Sequence, residues 1–380
     1  MKQLIAFTTA ALLLAACASN NVEPPAPLVS FTPKFKVERV WSASVGSADA
    51  VLRLGIVPAS DGTNVYTASH SGIVYAFALQ DGRSLWRVKT KLPISAGPGV
   101  GQGMVVVGAS DGTLLALSAV DGKQLWKTNI SGYILASPAV SQSAIIAYTS
   151  DGHIIALTPV TGQQLWSISH DVPNLSLRGA SPPVISGDLL LQGLATGQLL
   201  ALNLADGSQR WITTISIPAG NNDLSRLVDL DGVLAVDSDN IYAVNYQGRL
   251  VDVARDSGQI LWSREMSSYT GVSEDDAHVY ATDIHSAVWA LDKNTGIPVW
   301  TQPAMRARDL TVPVPYSDTV VAGDVKGYLH FLSKRDGSVV ARVRLGSDPI
   351  LAPPIVVNGL LVVLTTGASL AVYKVKPLSQ

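Results

Sequence analysis

Apolar residues along this chain come in short runs, not in long helical stripes. Residues 104–108 (MVVVG), 144–148 (AIIAY) and 189–191 (LLL) are typical. They have the length and β-branched or aliphatic character of strands packed in a sheet. Between the runs a phrase recurs: a turn pair ending in glycine, then a tryptophan four residues later. It appears as Asp81-Gly82 with Trp86, Asp121-Gly122 with Trp126, Thr161-Gly162 with Trp166, and Asp206-Gly207 with Trp211. It continues as Ser257-Gly258 with Trp262 and Thr295-Gly296 with Trp300, and ends with Asp336-Gly337, where Ala341 takes the tryptophan slot. Successive slots are 40, 40, 45, 51, 38 and 41 residues apart. Ten residues ahead of each slot lies a strand phrase with glycine and alanine, as in Gly112 with Ala116, Gly152 with Ala156 and Gly197 with Ala201. Such glycine pairs suit tight hairpins because glycine accepts positive φ.

A period of 40–45 residues carrying about four short strands predicts a β-propeller blade. The small alanine leaves room for the indole to pack. The ends of the chain complete the count. Residues 360–365 and 367–373 read as inner strands with no tryptophan phrase after them, and residues 35–41 end in Trp41 with no inner strands before it. Together they make one composite blade, so the N-terminal strand closes the ring. The expected fold is all-β: an eight-bladed β-propeller of four-stranded antiparallel blades, with seven as the second count. Two slots break the pattern. In the seventh blade Phe331 and Ala341 exchange large for small, a swap that packed cores tolerate. In the fifth, Asp252 stands in the alanine slot. A carboxylate there needs a partner or solvent, which a strand shifted outward would supply.

Composition narrows the function. With 27 basic and 29 acidic residues the formal charge is −2, against the basic stripe of a nucleic-acid binder. An apolar content of 47% supports a large core. Cys17 is the single cysteine, so no internal disulfide forms, and the six histidines are scattered; no metal or other cofactor is expected. Met1-Lys2-Gln3 followed by an apolar stretch from Leu4 to Ala16 has the shape of an export signal, too short for a spanning helix. The expected organisation is a signal over 1–16, the Cys17 residue and a flexible, Pro-rich linker over 17–34, the propeller over 35–376, and a tail over 377–380.

In a propeller the chain returns from each outer strand to the next inner strand on one face, so overlong connections there are informative. Two neighbouring ones, 167–183 and 212–231, stretch the tryptophan spacing. The first holds Leu175, Leu177 and Arg178; the second holds Arg226, Leu227, Asp229 and Asp231. Exposed leucine beside arginine and aspartate has the makings of a binding hot spot. The alternative is that these leucines tuck beneath their loops. A third connection, 44–58, carries Val51, Leu52, Arg53 and Leu54. Asp229-Leu230-Asp231-Gly232 has a faint likeness to an acidic calcium loop, but the chain runs on into Val233 and Leu234, as a turn before a strand would. No G-x-S-x-G elbow followed by a helix is present.

Several of these features are carried by known families. Leu14-Ala15-Ala16-Cys17 resembles the bacterial lipobox, which implies cleavage before Cys17, lipidation of its thiol and, with Ala18 next, sorting to the outer membrane. The repeat resembles that of pyrroloquinoline-quinone (PQQ) enzymes and their non-catalytic relatives. The lipobox, the linker, the eight blades, Leu-Ser-Leu-Arg-Gly at 175–179 and Gly-Tyr-Leu-His at 327–330 together resemble the BamB family, propeller lipoproteins of the β-barrel assembly (BAM) machinery. That resemblance implies a non-enzymatic scaffold on the periplasmic face of the outer membrane. Such a scaffold binds POTRA domains of the barrel-forming subunit BamA through Leu175, Leu177, Arg178, Asp229 and Asp231, with Arg226 and Leu227 alongside, and assists nascent outer-membrane proteins. The competing readings are a PQQ-dependent dehydrogenase, for which the usual adjacent cysteine pair is missing, and a ligand-binding propeller.

Overall fold

The computed structural model describes residues 23–46, 55–177, 179–367 and 369–378. Cys17 with its signal, the Val51–Leu54 stretch by number 51–54, and Arg178 lie outside them. The strands form eight antiparallel sheets arranged as the blades of a propeller. Blade 1 runs from Ala59–Ser60 at the centre through Asn64–Ser69 and Ile73–Ala78 to Ser84–Lys89 at the rim. Blades 2 to 7 follow over 94–129, 139–169, 184–214, 235–265, 272–302 and 314–344. Blade 8 has Ile355–Val357, Leu360–Leu364 and Ser369–Pro377, and its outer strand is Phe35–Ser44 from the other end of the chain. That strand pairs from Phe35 opposite Pro377 to Ser44 opposite Ser369. The ring is therefore closed by hydrogen bonds and leaves no long open edge where it meets itself. One addition was not legible in the repeat: Gly55–Ile56 pairs in parallel with the inner strand of blade 2.

The recurring phrase joins one blade to the next. Within a blade, alanine and tryptophan slots stand directly opposite each other on neighbouring strands: Ala76 and Trp86, Ala116 and Trp126, Ala156 and Trp166, Ala201 and Trp211. Each indole then reaches the following blade. Trp126 lies against Gly162 so closely that a Cβ there would stand 2.5 Å from the indole. Its Nε1 donates to the Pro159 carbonyl of the same turn at 2.8 Å. Trp41, Trp86, Trp166, Trp211, Trp262 and Trp300 make the equivalent bond to Leu79, Ala119, Leu204, Arg255, Lys293 and Lys334. The glycine is thus required twice, for positive φ and for the space under the ring.

This explains the missing tryptophan of blade 7. The outer two strands of blade 8 come from opposite ends of the chain, so no glycine hairpin joins them and an indole would have nothing to dock on. Phe331 and Ala341, directly opposite each other, fill the space instead. Blade 5 corrects an expectation. Asp252 sits opposite Trp262 in the same register as its alanine counterparts, and it is buried. The strand has not moved outward. Asn240 approaches one carboxylate oxygen at 3.3 Å, and the other has no hydrogen-bond partner among the described residues. Burial raises its pKa to about 6.

The expected flexible linker is described from Glu23 onward, and there it is docked. Ala26 N–H bonds to Arg306 O, and Lys34 N–H to Val340 O, both at 2.9 Å. Among the described residues no helix is long and apolar enough to cross a membrane.

Candidate functional site

Strands alternate in direction, so the connections between blades and the turns between second and third strands share one face. Backbone bonds tie them together there, as from Ile215 N–H to Gly197 O and from Met266 N–H to Gly248 O. Both overlong connections lie on this face, and they touch. The Leu177 N–H donates to Oδ1 of Asp229 at 2.8 Å. Ser181 donates to the Gly232 carbonyl at 3.1 Å, and Gly179 packs beside the Asp231 carboxylate.

The second connection is held from below. Leu230 N–H bonds to Leu194 O, and Tyr246 N–H to Asp229 O. The Asn245 amide donates to Val228 O at 3.0 Å. These bonds draw Leu227, Val228, Asp229 and Leu230 into the fold, where all four are buried. The expectation of exposed leucines is therefore corrected in part. Leu227 belongs to the packing beneath the loop. Leu175 is 40% exposed and Leu224, in the short 3-10 turn Leu224–Arg226, is 68% exposed. Arg226 is exposed and Leu177 half-buried. Ser181, Asn245 and Tyr246, which support the connections, were not singled out from the sequence; polar residues flanking a glycine turn were their only signal.

The site opens onto the axis of the ring. A cavity of about 540 Å³ is lined by residues just ahead of the inner strands, including Leu177, Gly179, Asp231 and Val233 on this side, with Tyr246 and Tyr269 next to them. Asp231 is the unusual member. Its Oδ2 is buried and, like Oδ2 of Asp229, has no hydrogen-bond partner among the described residues. Burial, and then the charge of Asp229, raise the Asp231 pKa to about 8. Burial also raises that of Asp229, against the opposing pull of the Leu177 N–H. Two adjacent carboxylates with unmet acceptor capacity suit a cationic or N–H donor better than an anion. Among the described residues no group of three or more His, Cys, Asp or Glu could hold a metal.

The family model described as outer membrane protein assembly factor BamB matches residues 70–302. A Pseudomonas aeruginosa protein of that name is 47% identical over 373 residues, covering 98% of both chains. One from Xanthomonas campestris is 38% identical, covering 94% of this chain and 90% of its own. The crystal structure of BamB from Moraxella catarrhalis superposes with a TM-score of 0.82 at 25% identity, covering 89% of this chain and all of its own. A quinohemoprotein alcohol dehydrogenase from Comamonas testosteroni reaches a TM-score of 0.72 at 13% identity, a likeness of fold alone. The chain thus groups with assembly factors and not with the enzymes that share its architecture. It belongs to the family of the outer membrane protein assembly factor BamB.

Proposed function

We propose that this chain is a lipid-anchored, non-catalytic scaffold of the BAM complex, carried on the periplasmic face of the outer membrane by Cys17. In this reading it binds POTRA domains of the BamA-type barrel-forming subunit through Leu175, Leu177, Arg178, Asp229 and Asp231, and so assists folding and insertion of outer-membrane proteins. Arg226 borders the surface, and Leu227 supports it from within. The family assignment supports the role. The observation that carries the site is the contact between the two connections, whose carboxylates keep unmet acceptor capacity at the channel mouth. Leu175 and Leu177 provide apolar anchors, and the buried Asp229 holds Leu177 in place through its N–H.

Co-purification of Arg178→Glu with the barrel-forming subunit tests the surface: capture should fall at least about tenfold, the loss of roughly one charge-assisted contact. Undiminished capture would remove Arg178 from the site. Separately, Cys17→Ala should move the protein from the membrane to the soluble periplasmic fraction, and retention would refute the anchor.

A further inference from the structure

Outside the two connections, the outer edge of blade 7 holds charged groups in a built arrangement. Asp324, buried in the turn between the second and third strands, accepts Nε–H of Arg308 at 2.7 Å and lies 2.8 Å from Nε2 of His330. Nδ1 of His330 faces Nε of Arg342 at 3.3 Å. Both arginines then turn to the same stretch of chain. Arg308 Nη1 donates to the Ala26 carbonyl at 2.6 Å, and Arg342 Nη1 to the Val29 carbonyl at 3.1 Å. The Arg342 guanidinium also sits 5.0 Å from the centre of the Phe31 ring, and Phe31 packs against the cluster around Trp300 and Met305. Glu23 pairs with Arg306 at 2.9 Å. The cradle is organised by buried groups, so it is preformed and not a chance surface contact.

The path of this segment matters. Phe35 begins the ring-closing strand opposite Pro377, at the end of the blades where hairpins join third and fourth strands. Arg308 and Asp324 lie at the other end, in the connection between blades 6 and 7 and in the turn between second and third strands. Residues 23–34 therefore climb the whole height of blade 7. They carry the chain from the hairpin face to the face that holds Leu177 and Asp229.

We infer that residues 23–31 are a docked strap that brings the membrane tether out on the partner-binding face. This rests on lipidation at Cys17. With the strap docked, residues 18–22 alone separate the anchor from Glu23, a reach of about 20 Å for extended chain, against about 60 Å from Phe35 with the strap free. The strap thus decides which face of the ring is held near the bilayer.

Energy transfer tests this in the full-length lipidated protein on vesicles carrying an acceptor lipid. A dye is placed at Lys326→Cys on the strap-exit face or at Arg335→Cys on the hairpin face of the same blade. Transfer from position 326 should exceed that from 335 severalfold, and Phe31→Ser with Arg342→Gln should bring the two within about twofold. Equal transfer with the native strap would overturn the inference. A protein that does not partition to vesicles refutes the lipid anchor instead. The strap is then judged by amide exchange: the Ala26 N–H, bonded to Arg306 O, should be protected, and exchange at the rate of free peptide overturns it.

Discussion

The Leu177 N–H donates to Oδ1 of Asp229 across 52 residues of sequence. Together with the bond from Ser181 to the Gly232 carbonyl, it sets the relative position of two connections that belong to different blades. Asp229 is itself fixed by Tyr246 N–H on its carbonyl, so the first connection is aligned by the second. Asp229→Ala removes the acceptor and leaves a half-buried amide without its partner, at a cost of about 1 kcal/mol. Faster exchange of the Leu177 amide, with little change elsewhere in the ring, is the expected result; unchanged protection would mean that the bond does not order the loop.

Asp231 makes stability depend on pH in a direction opposite to most carboxylates. Its pKa is raised from 3.8 to about 8 in the folded chain. Between these values the folded state binds more protons than the unfolded one, so its contribution to stability falls as pH rises from about 4 to about 8, then levels off. Asp231→Asn should raise the thermal midpoint, with a gain that grows across that window. A gain independent of pH, or a loss at pH 8, would contradict this ionisation.

The tryptophan slots give a prediction about the scaffold. Trp126→Ala removes a buried indole and its bond to Pro159, and should cost about 3–5 kcal/mol. Ala341→Trp, which restores the repeat, should also destabilise the ring, by about 1–3 kcal/mol, because Phe331 already fills that space. Denaturant unfolding of both variants distinguishes this from a simple consensus rule, under which Ala341→Trp would stabilise.

The repeat was legible because it is local: glycine, alanine and tryptophan recur at fixed offsets, and the ends of the chain complement each other. The overlong connections were legible as interruptions of that period. Their packing was not. Whether Leu227 faces solvent depends on the bonds from Leu230 N–H to the Leu194 carbonyl and from Asn245 to the Val228 carbonyl, which no local pattern encodes. Asp252 looked like a displaced strand because a carboxylate opposite an indole is unfavourable, yet the register is kept and the carboxylate is raised in pKa instead. The docking of residues 23–31 was hidden for a similar reason. Composition marked the segment as a spacer, while its partners Arg308 and Arg342 lie 282 and 313 residues away.

The central claim is that the two bonded connections form the partner surface. The most direct measurement is the affinity of the purified protein for the POTRA domains of the barrel-forming subunit. Leu175→Asp, at an exposed residue of the first connection, is compared with Val120→Asp, at an 86% exposed hairpin residue on the opposite face. Leu175→Asp should weaken binding at least about tenfold, equivalent to 1.4 kcal/mol, with Val120→Asp unchanged. Equal affinities for wild type and Leu175→Asp, or a loss confined to Val120→Asp, would contradict the account.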